Sequence, residues 1–496
     1  MSSVFLLIVV FLPILAGALL PLFVTGTEEE QERKRKLYVA VPVLLNTLLV
    51  FLLIFFKPKS GLTLLHLTEH LTISFRMDGL ASVFAGLVAG LWPLASSYAF
   101  EYMEHEEQKN KFFALYTMTY GVTIGIATSA NLVTMYLFYE LLTLVTLPLV
   151  MHSMDNRSIK AGVKYLTYSI GGAAAAFAGM MILMNVGDPS LTFTYGGFIP
   201  AQAAADNRAL LSAGYLLCFF GFGVKAAVFP FHSWLPDAGV APTPVTALLH
   251  AVAVVKAGVF AIMRSTYFCF GMELFSGTWV QAVAMLFASF TIVYGSTMAW
   301  KEQHIKRRLA YSTVSNLSYI AFGATLMSAA GFQAAMTHMV FHGIMKITLF
   351  FCAGAVMHQT HREYVPQLYG MGHSLKVVFF AFTVGSIALT GVPLLCGFVS
   401  KWMLATAATD LMNPYAVWGV AALLISAVLT AAYTLTIVVR AYFPGRDFDM
   451  TEVRQMKDPT NYMKIPLLVL CAFMLIFGLF STPLTNALYA VATGLI

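Results

Sequence analysis

Charge is what this chain has least of. Of its 496 residues only 10% are Asp, Glu, Lys or Arg, while 59% are hydrophobic. That balance excludes a soluble globular protein. The apolar runs are long and continuous, which also excludes a transmembrane β-barrel with its short alternating segments. An all-α polytopic membrane protein is what is left. Cysteines are few and scattered. Cys218, Cys269, Cys352, Cys396 and Cys471 form no CxxC pair, so no iron–sulfur cluster or structural zinc is expected. The sequence also lacks GxxxxGK(S/T) and any glycine-rich turn between a strand and a helix, the marks of nucleotide and dinucleotide sites. No cofactor is therefore expected in this chain, and energy from ATP or a redox reaction would have to come from partners. No basic residues precede the first apolar run, Val4 to Val24, and no small-residue cleavage site is suitably placed. That run reads as a retained helix, not a signal peptide. The net charge of +6 arises in loops and gives no reason to expect nucleic acid.

What is there is a series of spans. Apolar runs fall near residues 4–24, 37–56, 79–100, 112–128, 131–151, 161–185, 209–230, 243–264, 279–300, 309–326, 333–357, 376–405, 417–442 and 465–490, about fourteen in all. With the N-terminus outside, nineteen of the 29 basic residues fall on the inner side, from Arg33 to Lys464 and including Arg446. Five fall outside (Lys57, Lys59, Arg76, Arg208 and, at a helix end, Arg264), and five lie within spans. The opposite orientation inverts that ratio, so the positive-inside rule predicts both termini outside.

The stretch Leu210 to Arg264 gathers the unusual features. Lys225 lies deep in an apolar span that Pro230 then interrupts, and the next span opens at Pro242 and Pro244 and carries His250 and Lys256. A lysine in hydrocarbon is costly and belongs in a bundle interior or a wet cavity. A proline at that depth frees backbone groups that only protein or water can satisfy. The combination reads as an ion route, with a lysine stem reaching the surface as the plainer alternative. Of 23 acidic residues only Glu140 lies well inside a span. A lysine beside it would hold it charged, although sequence alone does not bring Glu140 to Lys225.

The second half repeats the theme. In LTGVPLLCGFVSKW, Gly391, Pro393 and Gly397 break the twelfth span and Lys401 follows. Two interrupted, lysine-bearing helices of opposite direction, five spans apart, predict inverted repeats around a mid-membrane site. The expected division is three N-terminal spans (1–111), a first five-helix repeat (112–264), a second (279–442) and a C-terminal span (465–496). Between the broken helices, His338, His342 and Lys346 recur at i, i+4 and i+8 on one face. Plainer readings stay open here: His250 as a core histidine bonded to a carbonyl, and His338 with His342 as metal ligands, although HExxH is absent and no carboxylate neighbours them.

These blocks resemble the antiporter-like family. It comprises subunits of Mrp multisubunit cation/proton antiporters, the L-, M- and N-type subunits of respiratory complex I, and their counterparts in membrane-bound hydrogenases and formate hydrogenlyases. The resemblance covers roughly residues 70 to 440. It rests on Glu140, on FGFGVKAAVFPFHSWLPDAGVAPTPVTALLH, on HxxxHGxxK ending at Lys346, and on GVPxxxGFxSKW with Lys401. It implies fourteen helices with two inverted five-helix repeats, broken at helices seven and twelve. It also implies a proton relay in which Glu140 pairs with Lys225, Lys256 and His250 connect, His338, His342 and Lys346 continue, and Lys401 ends the line. M-type subunits tend to carry glutamate where Lys401 stands, and L-type and large A-type Mrp subunits extend further than Ile496. The remaining fit is a D-type Mrp subunit, or the same module in a hydrogenase or complex I-type assembly, in a prokaryotic cell (inner) membrane.

The expected function is thus proton translocation within a multisubunit membrane complex, with protons and, as an alternative, sodium ions moved, and other membrane subunits and the lipid bilayer as partners. Two rivals from other classes stay open: a stand-alone transporter of a small solute, and a redox subunit binding quinone or haem.

Overall fold

The computed structural model describes residues 3–58, 60–445 and 448–495. Lys59 and Arg446, counted above among the loop bases, and Ile496 lie outside the described residues. The protein is mostly helical, and eleven helices among the described residues are long and apolar enough to cross a membrane. It is a multi-pass, polytopic α-helical membrane protein.

Helices α1 (Val4–Phe23) and α2 (Glu28–Phe55) form the N-terminal edge. The second begins nine residues before its apolar run, because Thr27 and Glu30 close a reciprocal cap and three glutamates occupy the positive first turn. A two-stranded antiparallel hairpin follows, β1 (Leu62–His66) and β2 (Thr72–Phe75). The purely helical expectation did not include it. Helix α3 (Gly79–Tyr102) is capped by Asp78, which accepts from Ala81 N at 2.9 Å. After α4 (Lys109–Thr128), Asn131 caps α5 (Leu132–Val150) and Asp155 caps α6 (Asn156–Val186).

The next part of the chain is irregular. A short α7 (Ala201–Asp206) leads into α8 (Arg208–Lys225), and then α9 (Trp234–Asp237) bridges to α10 (Thr243–Ala251) and α11 (Val254–Arg264). After α12 (Met272–Phe275) come α13 (Trp279–Lys301), α14 (Ile305–Thr325) and α15 (Ala329–Thr360). The remainder is α16 (Lys376–Thr390), α17 (Cys396–Asp410), α18 (Pro414–Tyr442), α19 (Thr451–Gln455), α20 (Asn461–Leu479) and α21 (Thr482–Ala492).

Three of the expected spans differ in continuity. The seventh stops at Lys225, four residues short of Phe229, so Lys225 ends a helix instead of sitting within one. The eighth, expected to be unbroken, parts between α10 and α11 at Val252 and Ala253. The last, expected over 465–490, is two helices. Helices α4 and α14 are rich in hydroxyl residues, and α16 and α17 have only 15 residues each, so none of these four is among the eleven.

Helix α15 is the axis. It is nearly all buried and packs against α3, α10, α14, α16, α17, α20 and α21. At 1.5 Å per residue its 32 residues extend about 48 Å, longer than the ~30 Å hydrocarbon core. The peripheral helices α1, α2, α18 and α20 turn leucines and valines such as Leu44, Leu48, Leu424 and Val428 outward, as helices facing lipid do.

Candidate functional site

Two clusters of charged and titratable side chains occupy the interior. The first lies where α8 ends. Lys225 is buried, and its Nζ donates to the backbone oxygen of Tyr139 and lies 3.4 Å from Glu140 Oε1. The Tyr139 ring centroid is 3.4 Å from the same amine. Glu140 is 29% exposed and Lys225 only 1%, so this ion pair spans the boundary between surface and core. Termination of α8 has a local cause. The Trp234 indole donates to Val224 O at 2.8 Å, and Ala227 takes a positive φ of 55°. Pro230 follows, exposed and five residues past the helix end, while Phe229 N donates to Thr291 Oγ1 at 3.1 Å. The interruption is therefore at Ala226, and Pro230 belongs to the irregular segment after it.

The second cluster surrounds α15. Between α10 and α11 the helical ladder slips, with Ala253 N donating to Leu248 O, five residues back, at 2.9 Å. Lys256, one turn after the slip, is fully buried and pairs through Nζ with His342 Nδ1. Gly258 then brings α11 against the end of α8. A Cβ there would stand 2.4 Å from Ala226 N and 2.8 Å from Lys225 C. The backbone that carries Lys256 thus abuts the backbone that carries Lys225.

Along α15, the rings of His342 and His338 stack with centroids 5.7 Å apart. His338 Nδ1 pairs with Ser400 Oγ of α17 at 2.9 Å, and its ring stacks on Tyr319 of α14 at 5.1 Å. One turn beyond His342, Lys346 donates to Ser312 Oγ and, at 3.1 Å, to Leu309 O. His250 of α10 joins less directly. Neither ring nitrogen has a protein partner among the described residues, and the ring packs on Phe350, 4.8 Å away, itself 5.9 Å from Lys346 Nζ.

Lys401 closes the line. Its Nζ donates to Leu389 O at 2.6 Å and Thr390 O at 3.2 Å, carbonyls that the end of α16 leaves without helical donors. The amine also lies 5.3 Å from the Tyr319 ring. Gly391 ends α16 in the left-handed region at φ +96°. Gly397 permits the two half-helices to touch, since a Cβ there would be 1.8 Å from Ala388 O. Pro393 is exposed between them. Among the described residues, Lys256, Lys346 and Lys401 form no ion pair with a carboxylate. No group of three metal-ligating side chains occurs among the described residues either.

Residues 129–430 match the model of the NADH:quinone oxidoreductase/Mrp antiporter transmembrane family. The chain belongs to that family. A second model, the N-terminus of chain 5 of NADH-ubiquinone oxidoreductase (complex I), matches residues 66–113. Among curated proteins the chain is similar to the probable A/B subunit of a K(+)/H(+) antiporter of Rhizobium meliloti (32% identity over 82% of this chain and 40% of that one). It is also similar to the A1 subunit of a Na(+)/H(+) antiporter of Staphylococcus aureus strain Newman (29% identity over 84% of this chain and 54% of that one). The chain thus spans about half the length of the curated relatives it matches. In fold it is similar to a chain of the membrane-bound sulfane sulfur reductase, an archaeal respiratory membrane complex. There the TM-score is 0.83 at 23% identity, with 99% of this chain and 97% of that one covered.

The family match contains every charged or titratable residue of both clusters, from Glu140 to Lys401. Its antiporter-type blocks already held one partner that sequence reading passed over, because Ser400 sits beside Lys401 in GFVSKW. Tyr139, Ser312 and Tyr319 carried no such signal. Hydroxyl residues and backbone carbonyls are common in apolar helices and stand out only when a lysine is seen to reach them.

Two ionisable groups outside these clusters stand at helix ends, as expected, but are buried. Arg264, assigned to an outer helix end, is fully buried and forks onto Asp78, with Nη1–Oδ2 at 2.8 Å and Nη2–Oδ1 at 2.6 Å. Glu140 is not the most buried carboxylate: Glu101 is only 3% exposed, accepting from Thr460 N and Oγ1 at 2.6 Å and from Met463 N at 3.2 Å.

Proposed function

We propose that the chain is a proton-translocating, antiporter-like subunit of a multisubunit membrane complex. The observation that carries this reading is the line Lys256–His342–His338–Lys401 along α15: the first pair is bonded, the two histidine rings stack, and the Tyr319 ring lies between His338 and the Lys401 amine. In this reading the chain has fourteen spans. Residues 1–111 precede two inverted five-helix repeats, 112–264 and 279–442, and 465–496 closes the fold, with both termini outside a prokaryotic cell membrane.

Glu140 acts as the switch. While its carboxylate faces Lys225, that lysine keeps its charge. When a neighbouring subunit neutralises or draws off the carboxylate, desolvation favours releasing the proton. Contact at Gly258 passes the change to α11, and Lys256, His342 and His338 hand protons towards Lys401, with His250 and Lys346 as a side branch. The carbonyls of Leu389 and Thr390 stand in for water around the charged Lys401 amine. Partial exposure of Glu140 supports a contact with another chain of the complex on that face.

The names of the curated relatives support exchange of protons for a monovalent cation, sodium or potassium, in an Mrp-type complex, and Lys401 is what supports reading this chain as a D-type subunit. The likeness in fold to a chain of an archaeal respiratory membrane complex supports a second host, a redox-driven pump. The line of lysines and histidines through α15 fits protons better than a solute pocket.

The test is Glu140→Gln in the whole complex, reconstituted in vesicles with a pH-sensitive dye. The amide keeps the volume and loses the charge, so assembly should persist and coupled transport should stop. Wild-type transport by the assembled variant would overturn the switch.

A further inference from the structure

An apolar crevice of about 330 Å³ opens beside α3, away from the titratable line. Phe51 and Phe55 of α2, Gly86 and Gly90 of α3, Phe477 of α20 and Leu488 of α21 are among its walls, and it reaches the outer side of α15 at Ile344. The glycines make the slot. A Cβ at Gly90 would meet nothing nearer than Phe51 Cζ at 4.0 Å, so the space there is open. The volume corresponds to about eleven water-sized groups at ~30 Å³ each. That suits a length of one acyl chain and is too small to take in a turn of helix of ~10 Å diameter.

The slot ends at a charge. One turn along both α3 and α21, at Gly79 and Val491, lies a second pocket of about 310 Å³ lined by Arg76, Thr194 and Tyr195. Arg76 is 37% exposed and donates to Phe193 O at 2.7 Å and to Asp78 at only 3.4 Å. Asp78 is the one carboxylate lining this pocket among the described residues, and Arg264 and Ala81 N already occupy its oxygens. Two guanidinium groups share one carboxylate, leaving a net positive charge about one helical turn from the apolar slot.

We propose that this groove holds one phospholipid of the surrounding bilayer. Its phosphate lies against Arg76 and one acyl chain runs along α3 and α21 to Gly90. The charge selects a phosphate-bearing headgroup, and the glycine floor admits a chain that any larger side chain would exclude.

Native mass spectrometry of the full complex, released from vesicles of phosphatidylglycerol and phosphatidylethanolamine into mild detergent, tests it. Wild type should keep one phospholipid per copy of this chain that Gly90→Leu lacks, and Arg76→Gln should lower its retention about tenfold. Gly90→Leu also replaces a poor helix former by a good one, so the fold should survive, and if it does not assemble, Arg76→Gln decides alone. In the same complex, a photoreactive probe on Leu488→Cys should label lipid. Equal phospholipid counts in all three proteins, or labelling of a neighbouring protein chain, would overturn the proposal.

Discussion

Replacing Gly397 by alanine tests the broken twelfth span more sharply than removing its lysine. The added methyl would fall 1.8 Å from Ala388 O and 2.9 Å from Ala388 C, both backbone atoms of α16. Reaching even 3.4 Å requires α16 and α17 to part by about 1.6 Å. Lys401 rides on α17 and donates to Leu389 and Thr390 at the end of α16, so a shift of that size stretches bonds of 2.6 and 3.2 Å beyond the useful range. Each hydrogen bond to a charged group is worth ~1.5–3 kcal/mol, and crowding a packed contact costs ~1–3 kcal/mol. With ~1.4 kcal/mol per factor of ten, transport should slow ~10- to 100-fold. Gly385→Ala on α16 is the control, because its Cβ would touch only side-chain atoms of Leu349 and Thr348, at 3.1 Å and beyond, which can move. Proton flux into vesicles carrying the whole complex, followed beside thermal unfolding, gives both numbers. Wild-type flux in Gly397→Ala with normal flux in the control would show that Lys401 does not depend on the carbonyls of α16.

Lys346→Met should slow transport several-fold without stopping it and move the unfolding temperature by only a few degrees, since an apolar chain of similar length replaces a buried charge that has no carboxylate partner among the described residues; a large drop in thermal stability would mean that a carboxylate reaches Lys346 in the assembled complex. Ser400→Ala should slow transport several-fold without loss of assembly, because His338 Nδ1 loses the hydroxyl that orients it, and a pH–rate profile identical to wild type would speak against that role. Arg264→Ala should behave oppositely, destabilising by ~3 kcal/mol as the half-buried Asp78 loses its main partner, and unchanged denaturant unfolding would mean the fork is dispensable.

Charge in an apolar run is rare enough to read directly, which is why Lys225, Lys256, Lys346 and Lys401 were visible in the sequence. The slip at Val252 and Ala253 was not. LHAVAVVK contains neither proline nor glycine, and the departure is one hydrogen bond reaching back five residues. Pro230 drew attention away from the true end of α8, which is set by an indole ten residues after Val224. Glu101 looked like an ordinary helix-end carboxylate because the amides it caps lie some 360 residues later, at Thr460 and Met463. In each case the hidden determinant is a contact between separate parts of the chain, and local composition holds no record of it.

Helix α11 has only eleven residues, yet both of its ends are defined. Arg264 bolts the far end to Asp78, the slip at Ala253 leaves the near end hinged, and Gly258 rests on the tip of α8 close to the middle. That is a lever with a fixed anchor, a point of contact and a free arm, and Lys256 rides on the free arm. In the proposed switch, a shift of the α8 tip that follows Lys225 and Glu140 would reach α11 at Gly258 and move Lys256 against His342. A rod without the slip would share the same push along its whole length and dissipate it. In the proposed switch the break would thus convert an electrostatic event at Glu140 into a stroke of Lys256, the amine that meets His342 of the central helix.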